Sequence, residues 1–341
     1  MKKSLMTLGV LALFVLMAYG QEKKFALYSV AFYNMENLFD TIHDEGKNDY
    51  EYLPNGTNQW NTMKYKAKLK NMSEILSMLS TDKLPMGPAI IGVSEIENYR
   101  VLEDILKQPA LADKGYQYVH YEGEDQRGVD CAFFYNPKLF ELTNSKLVPY
   151  VYINDTVHKT RGFLIASGNI AGEKMHFIVN HWPSRAAASP ARERAGEQVR
   201  AIKDSLLKED SAAKIVIMGD MNDDPMDKSM AVALGAKRKP ADVGPTDLYN
   251  PWWDTLKKGY GTLMYKGKWN LFDQIVFTGN LLGTDRRTLK FYKHEIFRRD
   301  FMFQKEGKYK GYPKRTQAGG VWLNGYSDHL PTIIYLIKEV K

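Results

Sequence analysis

Seven short runs of aliphatic, β-branched and aromatic residues punctuate the chain, at 25–33, 89–93, 129–135, 175–179, 214–218, 274–278 and 332–337. Each reads as a strand, and a chain carrying so many must build at least one large sheet. Helical spacing falls between some of them. Leu69, Met72, Leu76 and Leu79 make one apolar stripe, and a second helix is predicted over 190–207, with Ser189 as its cap and Pro190 at its first position. Strands outnumber helices, so the fold class is α/β or α+β. No repeat and no Pro/Gly/Ser linker divides the chain, and residues 21–341 are expected to form one domain.

The ends of these runs carry the functional signal. Four runs finish, at their carboxyl side, in a polar residue able to do chemistry: Asn34, Glu95, His181 and Asp220. Two others carry such residues at their amino side, Asp273 and the triplet Ser327-Asp328-His329. If all meet at one rim, the last two strands must run antiparallel to the first four. Sequence order alone therefore predicts a mixed sheet with its chemistry along one edge.

Taken singly, each motif has a plain structural reading. In Gly219-Asp220-Met221-Asn222-Asp223-Asp224-Pro225 a buried strand delivers Asp220 and Asn222 two residues apart, so both could converge on one ligand; the same residues also make an ordinary turn. Ser327-Asp328-His329 is no nucleophilic triad, because adjacent residues of an extended segment point apart, and no G-x-S-x-G elbow occurs. Asp328 reads better as a hard oxygen ligand, and His329 as a proton donor or phosphate contact. His181 could be a turn histidine, Glu95 an exposed acid, and Asn34 and Glu36 capping residues.

Composition removes several alternatives. With 44% hydrophobic and 26% charged residues among 341, the chain is neither disordered nor of low complexity. Its single cysteine, Cys131, excludes an intrachain disulfide and any cysteine-built metal site. Lys2-Lys3 followed by an apolar run to Tyr19 and Gly20 has the form of a cleavable signal peptide over residues 1–20. Export to the periplasm or beyond the cell is expected, with no stable membrane anchor after cleavage, since no later segment is apolar enough to span. A monomer is expected, with the oligomeric state itself left open.

Read together and in order, Asn34, Glu95, His181, Asp220-x-Asn222, Asp273 and Ser327-Asp328-His329 resemble the endonuclease/exonuclease/phosphatase superfamily, over effectively the whole chain from about Phe25. The most diagnostic blocks are GDMND, WNLFDQIVF and YSDH; YNMENLFD and NHWPSR are similar to those of secreted bacterial members. The resemblance implies a four-layered α/β sandwich, two packed mixed sheets flanked by helices. It also implies phosphoester hydrolysis by activated water with one or two divalent ions, Mg²⁺ or Mn²⁺, with Ca²⁺ as an alternative. Glu95 would be the principal metal carboxylate, helped by Asn34 and Asp328. Asp220 and Asn222 would position water or phosphate, with Asp220 as general base. Asp273 would orient His329 toward the scissile phosphate, and His181 would be a second donor. Glu36 is left undecided, and Asp130 is a guess for the partner of His181. Arg127 and Arg185 are candidate phosphate contacts.

The substrate is less constrained. Residues 285–315 hold eleven Lys/Arg against four acids, with seven aromatics interleaved, whereas 36–51 is net −5. The basic tract suits a phosphate backbone and stacked bases, or is an amphipathic solvated insertion. A nuclease-like phosphodiesterase acting on nucleic acid is the leading reading. A phospholipid or small-molecule phosphoesterase is the alternative, although no convincing apolar hairpin for membrane insertion is found. A catalytically silent binding protein is the third reading, and every motif position is intact against it.

Overall fold

The structure, a computed structural model, describes residues 23–153, 155 and 157–340. The predicted signal segment lies outside the described residues. In chain order the first strands are β1 (Lys24–Leu38), β2 (Ile90–Ile96), β3 (Gln117–His120), β4 (Asp130–Tyr135), β5 (Phe140–Val148) and β6 (Phe163–Ile170). They are followed by β7 (Glu173–His181), β8 (Lys214–Asp220), β9 (Ala236–Lys237), β10 (Leu248–Tyr249), β11 (Leu263–Tyr265) and β12 (Lys268–Asn270). The last five are β13 (Asp273–Thr278), β14 (Lys290–Ile296), β15 (Gln317–Ala318), β16 (Val321–Trp322) and β17 (Thr332–Val340). The helices are α1 (Thr62–Met78), α2 (Tyr99–Leu106), α3 (Ser189–Glu209) and the short α4 (Trp253–Lys257).

Two large mixed sheets hold thirteen of these strands, in the orders β14-β17-β1-β2-β4-β3 and β5-β6-β7-β8-β13-β10-β9. Alternation along each central strand builds the layers. In β1, Val30 and Phe32 face the second sheet, where Phe177, Val216 and Met218 meet them, while Ala31 and Tyr33 face α1 and α2. In β8, Ile215 and Ile217 turn the other way, onto Ala195 and Val199 of α3. The result is helix, sheet, sheet, helix. Both faces of the central strands are therefore buried, which is why their sequences are continuous apolar runs. The sheets approach closely at Gly92, where an added Cβ would lie 2.6 Å from Met218 Sδ.

The predicted strand directions hold. β1 and β2 are parallel, as are β7 and β8, while β17 runs antiparallel to β1 and β13 antiparallel to β8. The rim is shared by two sheets, however, not built by one. Helix α1 starts at Thr62, with Asn61 Oδ1 accepting from Lys64 N. Helix α3 already includes Ser189, and its cap position is Ala188; the Ser189 hydroxyl donates to Glu193 across the first turn instead of capping. The short helix α2, opened by Asn98, has no counterpart in the predicted elements.

Candidate active site

Strand register brings the polar ends together. His181, Asp220 and Asp273 stand side by side on three neighbouring strands, since Asp220 pairs with His181 of β7 and with Asp273 of β13. Asn34 lies opposite Ser94 at the corresponding end of the other sheet. Beyond it the pairing slips on both sides of β2, to Leu38 with Ile96 and from Ser94 to Ile96 against β4. Glu95 is the extra residue of this bulge, at φ 58°, which aims its carboxylate over the rim.

Glu36, Asn37 and Asn222 are also left-handed, at φ 46°, 53° and 51°. Such residues cost on the order of 1–3 kcal/mol each and persist where surrounding bonds over-determine them. Here Glu36 N donates to Asn34 Oδ1 at 2.8 Å, Asn37 N to Glu95 Oε2 at 3.0 Å and Asn222 N to Asp220 Oδ1 at 2.9 Å. The strained turns and the site carboxylates thus hold each other.

At the centre, Asn34 Nδ2 donates to Glu95 Oε1 at 3.1 Å and Asp220 Oδ2 at 3.0 Å. His181 Nε2 lies 3.8 Å from Glu95 Oε1 and 3.7 Å from Asp220 Oδ2. His329 Nδ1 sits 2.7 Å from Asp273 Oδ2, while its Nε2 is 3.9 Å from both Asp220 Oδ2 and Asp328 Oδ1. The Asn222 amide Nδ2 donates to Trp182 O at 3.0 Å.

Burial and charge drive the two histidines apart. His181 is pushed well below the ordinary imidazole range, first by burial and then by the charges of Arg161, Arg127 and His329, so it is neutral. Burial also opposes charge on His329, but Asp273 and Asp220 overcome it and raise the imidazole well above its usual value. Asp220 is raised to about 7 by burial, with Asp273 and Glu95 adding to the rise against His329 and the Asn222 amide. One histidine therefore carries a proton, the other does not, and a carboxylate poised near neutrality stands between them.

Several expected residues are placed differently. Arg185 is already held: it bonds Asp227 at 2.8 Å and reaches Asp223 and Asp224 at 3.3 Å, with its guanidinium 4.4 Å from the Phe272 ring centroid. It braces the Asp220–Asp227 turn, and its carboxylate partners oppose use as a phosphate contact. Asp130 does not orient His181; its carboxylate lies 3.1 Å from His120 Nε2. Arg127 is half-exposed, with its nearest acid, Asp125, at 3.6 Å. The buried Arg161, bonded to Asp125 and to Trp182 O, stands behind His181 and went unread in the sequence.

Arg315 and Lys68 were also missed as site residues. Arg315 spans Glu36 Oε1 at 2.9 Å and Asp328 Oδ2 at 2.6 Å. Lys68, fully buried, donates to Thr316 Oγ1 and Tyr326 O, both at 2.6 Å, with its ammonium 3.8 Å from Glu36 Oε2. Thr316 N closes the same carboxylate at 2.6 Å. Glu36 is thus enclosed by protein donors. A signal existed for Lys68, a cation at i+3 from Tyr65 and i−4 from Met72 on the apolar stripe of α1.

The donor set fits a hard divalent cation. Ligand atoms of Glu95, His181 and Asp220 all lie within 4.8 Å of one another, as do those of Asp220, Asp273 and His329. The neutral amide of Asn34 bridges Glu95 to Asp220, so two carboxylates converge on one point, the arrangement that suits a hard cation. Among the described residues, His181 Nδ1 and Asp273 Oδ1 are buried without a partner. Asp328 stands outside both groups, engaged by Arg315.

A two-sheet sandwich with acids, an amide and two oppositely protonated histidines at its strand ends is the frame of a phosphoesterase. The sequence makes the assignment specific: the chain belongs to the endonuclease/exonuclease/phosphatase family, whose pattern matches residues 29–338. Solved structures share the fold. A Bacteroides thetaiotaomicron member of that family superposes with a TM-score of 0.58 at 14% identity, covering 93% of this chain and 97% of that one. The B. thetaiotaomicron mannosyl-6-phosphatase gives 0.56 at 14%, covering 91% and 99%. D. rerio TDP2, complexed with single-strand DNA product, gives 0.52 at 14%, also covering 91% and 99%. No curated protein sequence matches the chain.

Proposed function

We propose that this chain is an exported, divalent-metal-dependent phosphodiesterase that hydrolyses nucleic-acid phosphodiester bonds. The observation that carries the reading is Asp220 set between His329 and His181, with Glu95 bridged to it through Asn34. Export rests on Lys2-Lys3 and the apolar run that follows.

Glu95 and Asn34 would hold the ion, with Asp328 at their margin. When bound it supplies charge neutralisation for the phosphoryl oxygens. The protein's own groups divide the remaining work. Asp220 takes a proton from the attacking water as oxygen bonds to phosphorus and the bond to the leaving oxygen breaks, and the leaving oxygen takes its proton from solvent water. His329, kept protonated by Asp273, donates to a phosphoryl oxygen and compensates the growing negative charge. Neutral His181 contributes a hydrogen bond, without its proton being transferred. Acid–base steps of this kind contribute roughly 10²–10⁴-fold each.

A small phosphate ester is a second reading, favoured by one feature. Beside Glu36 and Arg315 lies a cavity of about 220 Å³ lined by Tyr52, Trp60, Glu51, Asn58 and Gln317, polar and acidic enough to take a hydroxyl-rich group. The deciding experiment incubates purified 21–341 with single- and double-stranded DNA, RNA, sugar phosphates and phospholipid, with Mg²⁺, Mn²⁺, Ca²⁺ or chelator. Metal-dependent cleavage of a nucleic acid is expected. Cleavage of only the small esters would transfer the assignment to the second reading.

A further inference from the structure

The basic tract folds into two unlike parts. Arg286 and Arg287 at its start are occupied by Phe25, Tyr292 and Asp285, and Arg315 at its end by Glu36 and Asp328. The middle is different. Arg298, Arg299, Lys305 and Lys310 line a cavity of about 390 Å³ together with Phe303 and a single acid, Asp300. Among the described residues none of these four cations forms an ion pair, and Arg298 Nη1 is buried without a hydrogen-bond acceptor. Its guanidinium lies 4.9 Å from the ring centroids of both Trp269 and Phe303 and 5.8 Å from Tyr260, itself half-exposed.

This cavity adjoins the reaction centre through one hairpin. His329 forms a backbone bridge with Leu263, Leu263 pairs with Asn270 across β11 and β12, and Trp269 is the next residue. Stacking these strand spacings places the cavity on the order of 15 Å from His329. The far end of the same hairpin is fastened to the tract, since Tyr312 Oη accepts from Gly267 N at 2.6 Å and Tyr309 packs on Tyr312.

We infer that this cavity is an anion subsite that binds a second backbone phosphate of a nucleic-acid strand whose scissile phosphate lies at His329. The inference rests on the phosphodiesterase reading for the scissile position, while the subsite itself stands on its own geometry. Unpaired cations supply the phosphate contacts, and exposed Tyr260 offers a face on which a neighbouring base can stack. That combination of aromatic faces and cations favours a nucleic acid over a lipid headgroup. Lys305 and Lys310 are exposed, so replacing them leaves the fold intact.

The test compares wild type with Lys305→Gln/Lys310→Gln and with Arg298→Gln, using the full mature chain. Fluorescence anisotropy with a labelled single-stranded 12-mer in chelator reads binding without hydrolysis. The lysine pair is expected to weaken binding roughly tenfold and to flatten the slope of log K against log salt by about one to two. With metal, KM for the 12-mer should rise while kcat, and both constants for bis(p-nitrophenyl) phosphate, stay unchanged. Equal binding by wild type and the lysine variant would overturn the subsite. So would tighter binding to anionic phosphatidylglycerol vesicles than to the 12-mer. If the 12-mer binds as expected but no ester is cleaved, the phosphodiesterase reading fails and the subsite remains.

Discussion

Asn34 Nδ2 lies 3.0 Å from Asp220 Oδ2, and this bond joins the ends of the two sheets across the reaction centre. The same amide holds Glu95, so Asn34 is the hinge between the proposed metal carboxylate and the proposed base. Replacing Asn34 with Ala should lower activity about 10–100-fold, as removal of partners that orient metal ligands does. It should also cost about 1–3 kcal/mol of stability in chelator, because the buried Asp220 and the partly buried Glu95 both lose a donor. Urea titration alongside steady-state rates reads both; unchanged activity would remove Asn34 from the centre.

The bond from His329 to Asp273 predicts a change in pH profile as well as in rate. Asp273 is a cause of the raised His329 pKa, so Asp273→Asn lets that pKa fall. The alkaline limb of the kcat profile should then move to lower pH, because the proton leaves His329 sooner. At the optimum kcat should fall by about 10²–10⁴-fold with little change in KM. A limb that stays in place would show that His329 does not act protonated.

Much of this rim could be read in the sequence for one physical reason. Asn34, Glu95, His181, Asp220 and Asp273 each stand at the end or start of an apolar run buried on both faces, so an abrupt change from apolar to polar marks them. β5 and β14 escaped because they are half-exposed strands, with sequences such as FELTNSKLV that lack a continuous apolar run. The bulge at Glu95 could not be read either; nothing in VSEIEN announces a positive φ at a glutamate. Nor does periodicity name a strand's neighbour, so the division of one rim between two sheets needed the structure. Arg315 was hidden by company, one of eleven cations in its tract, and only folding shows that it alone reaches Glu36 and Asp328.

Lys68 makes the buried charge on Glu36 tolerable, and its removal should be among the more destabilising single changes in the protein. Lys68→Met leaves the enclosed carboxylate with Arg315 and the Thr316 amide, an expected loss of about 3–5 kcal/mol. Adding Glu36→Gln to the same chain removes the stranded charge and should recover part of that loss, giving a coupling of at least about 1 kcal/mol. Additive losses in urea unfolding would mean that the two groups do not interact.

Divalent ions should stabilise the fold through Glu95 independently of turnover. At a hundredfold excess over its dissociation constant, Mg²⁺ or Mn²⁺ would add about 2.7 kcal/mol if it binds only the native state. A rise in Tm is expected for wild type and should be absent for Glu95→Ala, and chelator should abolish hydrolysis. A rise of equal size in Glu95→Ala would place the ion elsewhere.

His294 gives a prediction remote from the reaction centre. It stands on β14 with its Nε2 2.9 Å from Thr255 Oγ1, its ring 4.8 Å from Trp252 and stacked toward Phe291. Burial, with a smaller contribution from the charge of Lys258, lowers its pKa from 6.5 to about 4. The unfolded chain therefore binds a proton near pH 6.5 that the native chain refuses until about pH 4. Above 6.5 both states are neutral and His294 contributes no pH dependence; below it stability falls, and the penalty levels off below pH 4. The full shift corresponds to roughly 3–3.5 kcal/mol, of which most is developed by pH 4. His294→Gln keeps a polar group for Thr255 but cannot titrate. Carboxylates and other histidines also titrate in acid, but they are common to both proteins, so the difference between wild type and variant isolates this residue. Between pH 7.5 and pH 4 that difference in urea stability should shift by about 2–3 kcal/mol in favour of the variant. A difference constant with pH would mean that the native pocket accepts the charged imidazole.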